Sequence, residues 1–125
     1  MVHGQNLKMA FKFEELKIWQ RALEYSFQIH LLTQGFPKEE LFILTSQIKR
    51  AADSIALNIA EGSTGQSNPE FSKFLGYALR SGIEVIACLH IAKRRNLVSD
   101  NLYTSLYDEL EVLIRMIQSL RNTLK

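Results

Sequence analysis

The chain is poor in the residues that staple, break or diversify a fold. In 125 residues there are one cysteine, two prolines and six glycines. A lone Cys88 excludes an intramolecular disulfide and a cysteine-cluster zinc site. So little Pro and Gly excludes collagen-like and low-complexity chains. Long apolar runs are missing too. The longest stretch without a charge is Tyr25 to Pro37, well short of the roughly 20 apolar residues that cross a bilayer. The opening MVHGQNLKMAFKFEE holds no apolar run of the kind found in a secretory leader. No membrane contact and a cytoplasmic location are therefore expected. A strong charge of one sign is also absent, with Lys+Arg 15 against Asp+Glu 13. The distribution is uneven, however. Between residues 63 and 95 stand Lys73, Arg80, Lys93, Arg94 and Arg95, opposed only by Glu70 and Glu84. An oligomer would repeat that basic stretch and make it a field for a polyanion.

What the chain does have is apolar residues, 46% of the total, at helical spacing. The length suits one domain, placed at residues 13–125 behind a tail of residues 1–12. A first helix carries two seams. One is Leu16, Trp19, Leu23, Ser26, His30 and Thr33; the other is Ile18, Ala22, Tyr25, Ile29 and Leu32. Each seam fits one packing surface. Gly35 and Pro37 stop this helix. A second helix begins either at Pro37, ahead of Glu39 and Glu40, or at a cap on Thr45 or Ser46. Its stripe is Leu44, Ile48, Ala51/Ala52, Ile55 and Ile59, and Gly62 ends it. Asn68 caps a third helix with Pro69 at its first position. Its seam runs Phe71, Leu75, Ala78, Gly82, Val85, Leu89 and Ala92, and Ala78 and Gly82 suit the small-residue ridge Ala52, Ala56 and Ala60. Asn96 supplies a left-handed stop. Ser99 caps a fourth helix with a heptad seam of Tyr103, Leu106, Leu110, Leu113, Ile117, Leu120 and Leu124. Four helices with short links predict an all-α, antiparallel, up-and-down four-helix bundle. Apolar residues beyond one core's needs on helices one and four predict a symmetric homo-oligomer.

Little in the pattern points to catalysis. No Glu is followed three residues later by His, so the di-iron bundle signature is missing. His3, His30 and His90 have no partner at ligand spacing, and His30 and His90 read as packed histidines. No metal and no cofactor are expected. Cys88 reads as a buried, inert thiol. Gly62 to Gly65 matches neither phosphate-binding glycine pattern. One polar stripe stands out: Arg50, Ser54, Asn58 and Glu61 on one flank of the second helix, facing Arg80, Ser81 and Glu84 on the third. Its structural reading is a network that fixes helix register. Its functional reading is an acid–base or polar-ligand site. Lys93, Arg94 and Arg95 either complement a helix C-terminus or, with Lys73, Lys49 and Arg50, contact phosphates.

Several blocks, in order, carry a family resemblance. They are Phe13-Glu14-Glu15-Leu16-Lys17-Ile18-Trp19-Gln20; Phe36-Pro37-Lys38-Glu39-Glu40 with Leu44-Thr45-Ser46-Gln47-Ile48-Lys49-Arg50-Ala51; Ser54 and Ile55 with Asn58-Ile59-Ala60-Glu61-Gly62; and Glu70-Phe71, Phe74-Leu75, Ala78, Ser81 and Glu84. Together they resemble the proteins encoded in 23S ribosomal RNA intervening sequences, the S23 family, over about residues 13–122. Ala56 departs from the pattern, where relatives commonly have proline, and Leu57 is more apolar than usual. The resemblance implies a four-helix bundle in a homopentameric ring, no established enzymatic activity and a link to ribosomal RNA. A more distant similarity is to the accessory variability protein of diversity-generating retroelements, a pentameric barrel that binds nucleic acid. The expectation is a non-enzymatic oligomer that binds RNA or DNA through Arg94, Arg95, Lys93, Lys73, Lys49 and Arg50. The alternative is a protein-interaction scaffold presenting Tyr107 and Ile114.

Overall fold

The predicted helical seams become four helices in the computed structural model, which describes residues 11–65 and 67–124. Most of the expected tail, residues 1–10, lies outside the described residues. Among the described residues there are four long helices and no strand: α1 (Lys17–Gln34), α2 (Ser46–Ser63), α3 (Asn68–Arg94) and α4 (Asp100–Asn122). Each packs on the next, and α4 closes back on α1. Contacts between opposite ends fix the directions as antiparallel. Arg121 near the end of α4 bonds Ser72 near the start of α3, and Gly62 at the end of α2 meets Phe71 at the start of α3. The result is a four-helix bundle whose core holds Ile29, Ile48, Ile55, Ile59, Leu75, Leu89, Leu110, Leu113 and Ile117, all essentially without solvent contact. Burying each such side chain contributes about 1.5–3 kcal/mol.

The two seams of α1 part company. Ile18, Ala22, Tyr25, Ile29 and Leu32 are buried, whereas Leu23 and His30 of the other seam are exposed. Ahead of α1, a short 3₁₀ turn (Lys12–Glu15) is clasped by its own motif. The Glu14 carboxylate accepts from the Phe11 N–H, the Gln20 amide donates to the Glu14 carbonyl, and Phe13 sits edge-on to Trp19 with centroids 4.9 Å apart.

The entry to α2 merges the two predicted starts. Pro37 stands just outside a 3₁₀ turn (Lys38–Glu40), which runs into a π-turn (Leu41–Thr45) and then directly into α2. Thr45 and Ser46 have helical backbones and make no cap, so the restart expected there does not occur. The wider turn absorbs an extra residue without ending the helix. At the start of α3 the cap is Ser67, not Asn68. Ser67 Oγ accepts from Glu70 N at 3.3 Å, which makes Asn68 the first helical residue and Pro69 the second. Asn96 does adopt the left-handed conformation (φ 61°), and its neighbour Leu97 N–H bonds Ala92 O at 2.8 Å. Ser99 caps α4 through Leu102 N.

Two glycines act differently from expectation. Gly62 lies inside α2 rather than stopping it. A Cβ there would stand 2.6 Å from Phe74 Cβ and 3.0 Å from Phe71 Cδ1. The missing side chain therefore sets how closely α2 and α3 approach. Gly82 does not face the alanine ridge of α2. It faces α4, where a Cβ would meet the Ile114 side chain at 3.2 Å.

Helix α3 is long and apolar enough to cross a membrane by composition, unlike the charge-run expectation. Here Phe71, Leu75, Ala78, Val85, Leu89 and Ala92 are buried in the bundle, and Arg80 and Glu84 stand mid-helix on the surface.

Two predictions follow from this packing. Gly62→Ala should cost about 3 kcal/mol or more, because Phe74 Cβ is fixed to the backbone and the helices must separate. Gly82→Ala should cost about 1 kcal/mol or less, because the tip of Ile114 can turn aside and alanine favours helix. Urea unfolding of both variants checks the order. The second concerns Tyr25, which is buried and donates its hydroxyl to Leu106 O at 2.9 Å. Burial first, and the Glu109 carboxylate second, push its phenol above the ordinary value of 10.0. The unfolded chain therefore releases this proton at lower pH than the folded one, and stability should fall as pH rises above 10. Tyr25→Phe should lose about 1–2 kcal/mol at neutral pH and show a shallower alkaline decline in denaturant titrations.

Candidate nucleic-acid interface

The polar stripe is only partly a network. Asn58 Nδ2 donates to Ser54 O at 2.8 Å and to Ser54 Oγ at 2.9 Å, and Ser81 Oγ meets Ser54 Oγ at 2.9 Å. These three half-buried side chains lock α2 to α3 in register. Glu84 is reached by Gln47 at 3.2 Å, a partner the sequence reading did not assign. Arg50, Glu61 and Arg80 stay exposed and take no hydrogen bond within the stripe. Their helical phase carries them past the contact line and onto the outer surface. The expected network is thus a short serine–asparagine bridge with charged residues outside it.

The basic residues separate in the same way. Arg95 is held by Glu40, with Nη1 at 2.9 and 3.0 Å from the two carboxylate oxygens, and so ties the end of α3 to the turn before α2. Lys93 Nζ lies 4.4 Å from the centroid of the Tyr103 ring. Arg94 is exposed and makes no ion pair or hydrogen bond among the described residues. Lys73 reaches Glu70 only at 4.0 Å, on an exposed surface, where such pairs contribute little. Lys49 and Arg50 are brought together elsewhere, in a hollow of about 400 Å³ with Phe42 and Asp53. Asp53 accepts a hydrogen bond from Ser26 of α1. Thr45 Oγ1 borders this hollow, buried and without a hydrogen-bond partner among the described residues. The six predicted phosphate contacts therefore do not form one patch.

Another basic grouping does form. Lys73 and Arg80 of α3 share a groove of about 360 Å³ with Arg121 of α4. Arg121 escaped the sequence reading because its neighbours lie some fifty residues upstream, and only its place in the last turn of α4 marked it.

The remaining candidates are placed as follows. Cys88 is buried, and burial together with the Glu84 carboxylate pushes its thiol up, away from the reactive thiolate. His30 and His90 are exposed rather than packed inside. His30 stacks beside Phe27, and His90 lies edge-on to Tyr103 and Tyr107. His3 lies outside the described residues. Among the described residues no three His, Cys, Asp or Glu side chains group as metal ligands. Tyr107 and Ile114, expected to be presented to a partner, are both half-buried, with Ile114 packed over Gly82. Exposed apolar residues lie elsewhere, among them Leu23, Phe27 and Leu31 of α1, Phe42 and Ile43 of the π-turn, Leu57 of α2, and Tyr77 and Ile83 of α3.

Comparison with known proteins fits this architecture. A crystal structure of a protein of unknown function from the S23 ribosomal protein family of Bacteroides thetaiotaomicron superposes with a TM-score of 0.77 at 24% sequence identity, covering 84% of this chain and 95% of that one. At that identity the likeness carries the fold alone. No curated protein matches the chain. The family model described as 23S rRNA-intervening sequence protein matches residues 14–119, which is nearly the whole bundle. The chain belongs to the 23S rRNA-intervening sequence protein family.

Proposed function

We propose that the protein is a non-enzymatic, self-associating nucleic-acid-binding protein of the cytoplasm. The observation that carries this reading is the surface of α3 and its end. Lys73, Arg80, Lys93 and Arg94 are exposed there, spread along the helix, and Arg95 beside them is tied to Glu40. Cations so arranged neutralise phosphates with little regard to sequence, and binding of that kind weakens steeply with salt. The family's link to a ribosomal RNA intervening sequence favours RNA without fixing it.

Self-association rests on a separate observation. Leu23, Phe27 and Leu31 recur every four residues on the side of α1 opposite its buried seam. Such a stripe is a surface for another protein. A second copy of the chain, in a ring of five, is the occupant we propose. A scaffold that uses the stripe for a different protein is the second reading.

Fluorescence anisotropy against labelled RNA and DNA at several salt concentrations tests the main reading. Binding should fall with a log–log slope of about 0.7 per phosphate for single strands and about 0.9 for duplex DNA. Arg94→Gln should lower the slope without loss of fold. Arg95 is a poorer probe, since Arg95→Glu would set a second carboxylate against Glu40. Absence of binding at low salt would overturn the proposal and leave the scaffold reading.

A further inference from the structure

The groove between α3 and α4 has more than charge. Lys73, Tyr77 and Arg80 lie on one face of α3, and Lys73 and Arg80 are about 10.5 Å apart along its axis. Tyr77 stands between them, 41% exposed, its ring held edge-on against Phe74 at 5.5 Å. Ile83 continues the wall, 61% exposed. Among the described residues no carboxylate lines the groove.

Arg121 is set in place from the opposite side. Its Nε donates to Ser72 O at 3.0 Å and to Ser72 Oγ at 3.2 Å, so the guanidinium is aimed before anything binds. Gly76 makes room for it, since a Cβ there would stand 2.9 Å from Arg121 Nη2. The terminal nitrogens make no hydrogen bond among the described residues, and their fork matches the oxygens of a phosphate. The groove volume, about 360 Å³, falls in the range of small-ligand sites.

We propose that this groove is the site where the protein takes single-stranded nucleic acid. Arg121, Arg80 and Lys73 hold successive phosphates, and an unpaired base stacks on Tyr77. The inference rests on the nucleic-acid reading above and gives it a location that neither the sequence blocks nor the family assigns. A single strand is required because a base inside a duplex has no free face for the tyrosine. A duplex would meet the cations and leave Tyr77 idle.

The test is anisotropy with a fluorescein-labelled oligouridylate and oligothymidylate of about twelve nucleotides, beside a duplex of the same length. The variants are Tyr77→Ala, Tyr77→Phe, Gly76→Ala and the double variant Arg80→Gln/Arg121→Gln. Each is checked first by circular dichroism and thermal unfolding. Tyr77→Ala should weaken single-strand binding about tenfold or more and Tyr77→Phe should not. The double variant should lower the salt slope by about 1.4. Gly76→Ala should weaken binding by displacing the Arg121 guanidinium while the thermal midpoint holds. Wild-type protein that binds neither strand nor duplex at low salt overturns the nucleic-acid reading as a whole. Single-strand binding that survives all the groove variants, yet falls on Arg94→Gln, overturns the groove alone. Duplex binding as tight as single-strand binding, unaffected by Tyr77→Ala, overturns the stacking role. Should a variant unfold, photocrosslinking of wild-type protein to a 4-thiouridine strand decides the matter. Adducts at residues 72–84 are expected, and adducts confined to other segments overturn the site.

Discussion

The close approach of α2 to α3 at Gly62 is the contact on which the rest of the structure depends. A side chain at that position would collide with Phe74 Cβ, so only glycine lets Phe71 and Phe74 lie down on the end of α2. Farther along the same line, the bridge Asn58–Ser54–Ser81 fixes how the two helices are slid against each other. One contact sets the distance and the other sets the register. With both in place, the seam of α3 points inward along its whole length, from Phe71 to Ala92. Its opposite face must then point outward, and that face carries Lys73, Tyr77 and Arg80. The groove that α3 forms with α4 is therefore a consequence of how α3 is held by α2.

This explains why the residues that carry the family resemblance say so little about activity. Phe13, Glu14, Trp19 and Gln20 form a clasp ahead of α1. Ser54, Asn58, Gly62 and Ser81 join α2 to α3. Glu40 holds Arg95. These motif residues have packing or hydrogen-bonding tasks in the single chain, while others in the same blocks, such as Arg50 and Glu61, are exposed. Motifs built from joints identify the bundle and leave the surface free to differ. Tyr77, Gly76 and Arg121 fall outside the quoted blocks, so the resemblance contributes nothing to the groove.

The parts of the fold legible in the sequence are those set by local periodicity. The seams of α3 and α4, the stop at Asn96 and the cap at Ser99 depend on residues within a turn or two, and all are as expected. The misreadings share a different cause. Gly62 read as a helix stop because a glycine near a polar loop ordinarily is one; its true partner, Phe74, belongs to the next helix. Ser67 and Asn68 are both good caps, and only geometry chooses between them. For α1 the two seams were equally helical, and the choice fell to whichever matched α2 and α4. The site was less legible than the fold. Arg95 is paired with Glu40, which lies 55 residues away, and the fold sets Lys49 and Arg50 in a separate hollow with Phe42 and Asp53. A surface grouping made by two helices far apart in sequence leaves no spacing to count.

The α2–α3 joint turns the Lys73, Tyr77 and Arg80 face outward, and in the proposal above that face binds a single strand together with Arg121. Amide chemical-shift mapping of the labelled protein, titrated with an unlabelled single strand, tests it most directly. The largest shifts should cluster at residues 72–84 of α3 and around Arg121. Little change is predicted at Leu23, Phe27 and Leu57. Shifts confined to residues 93–95, or to the outer face of α1 and α2, would contradict it.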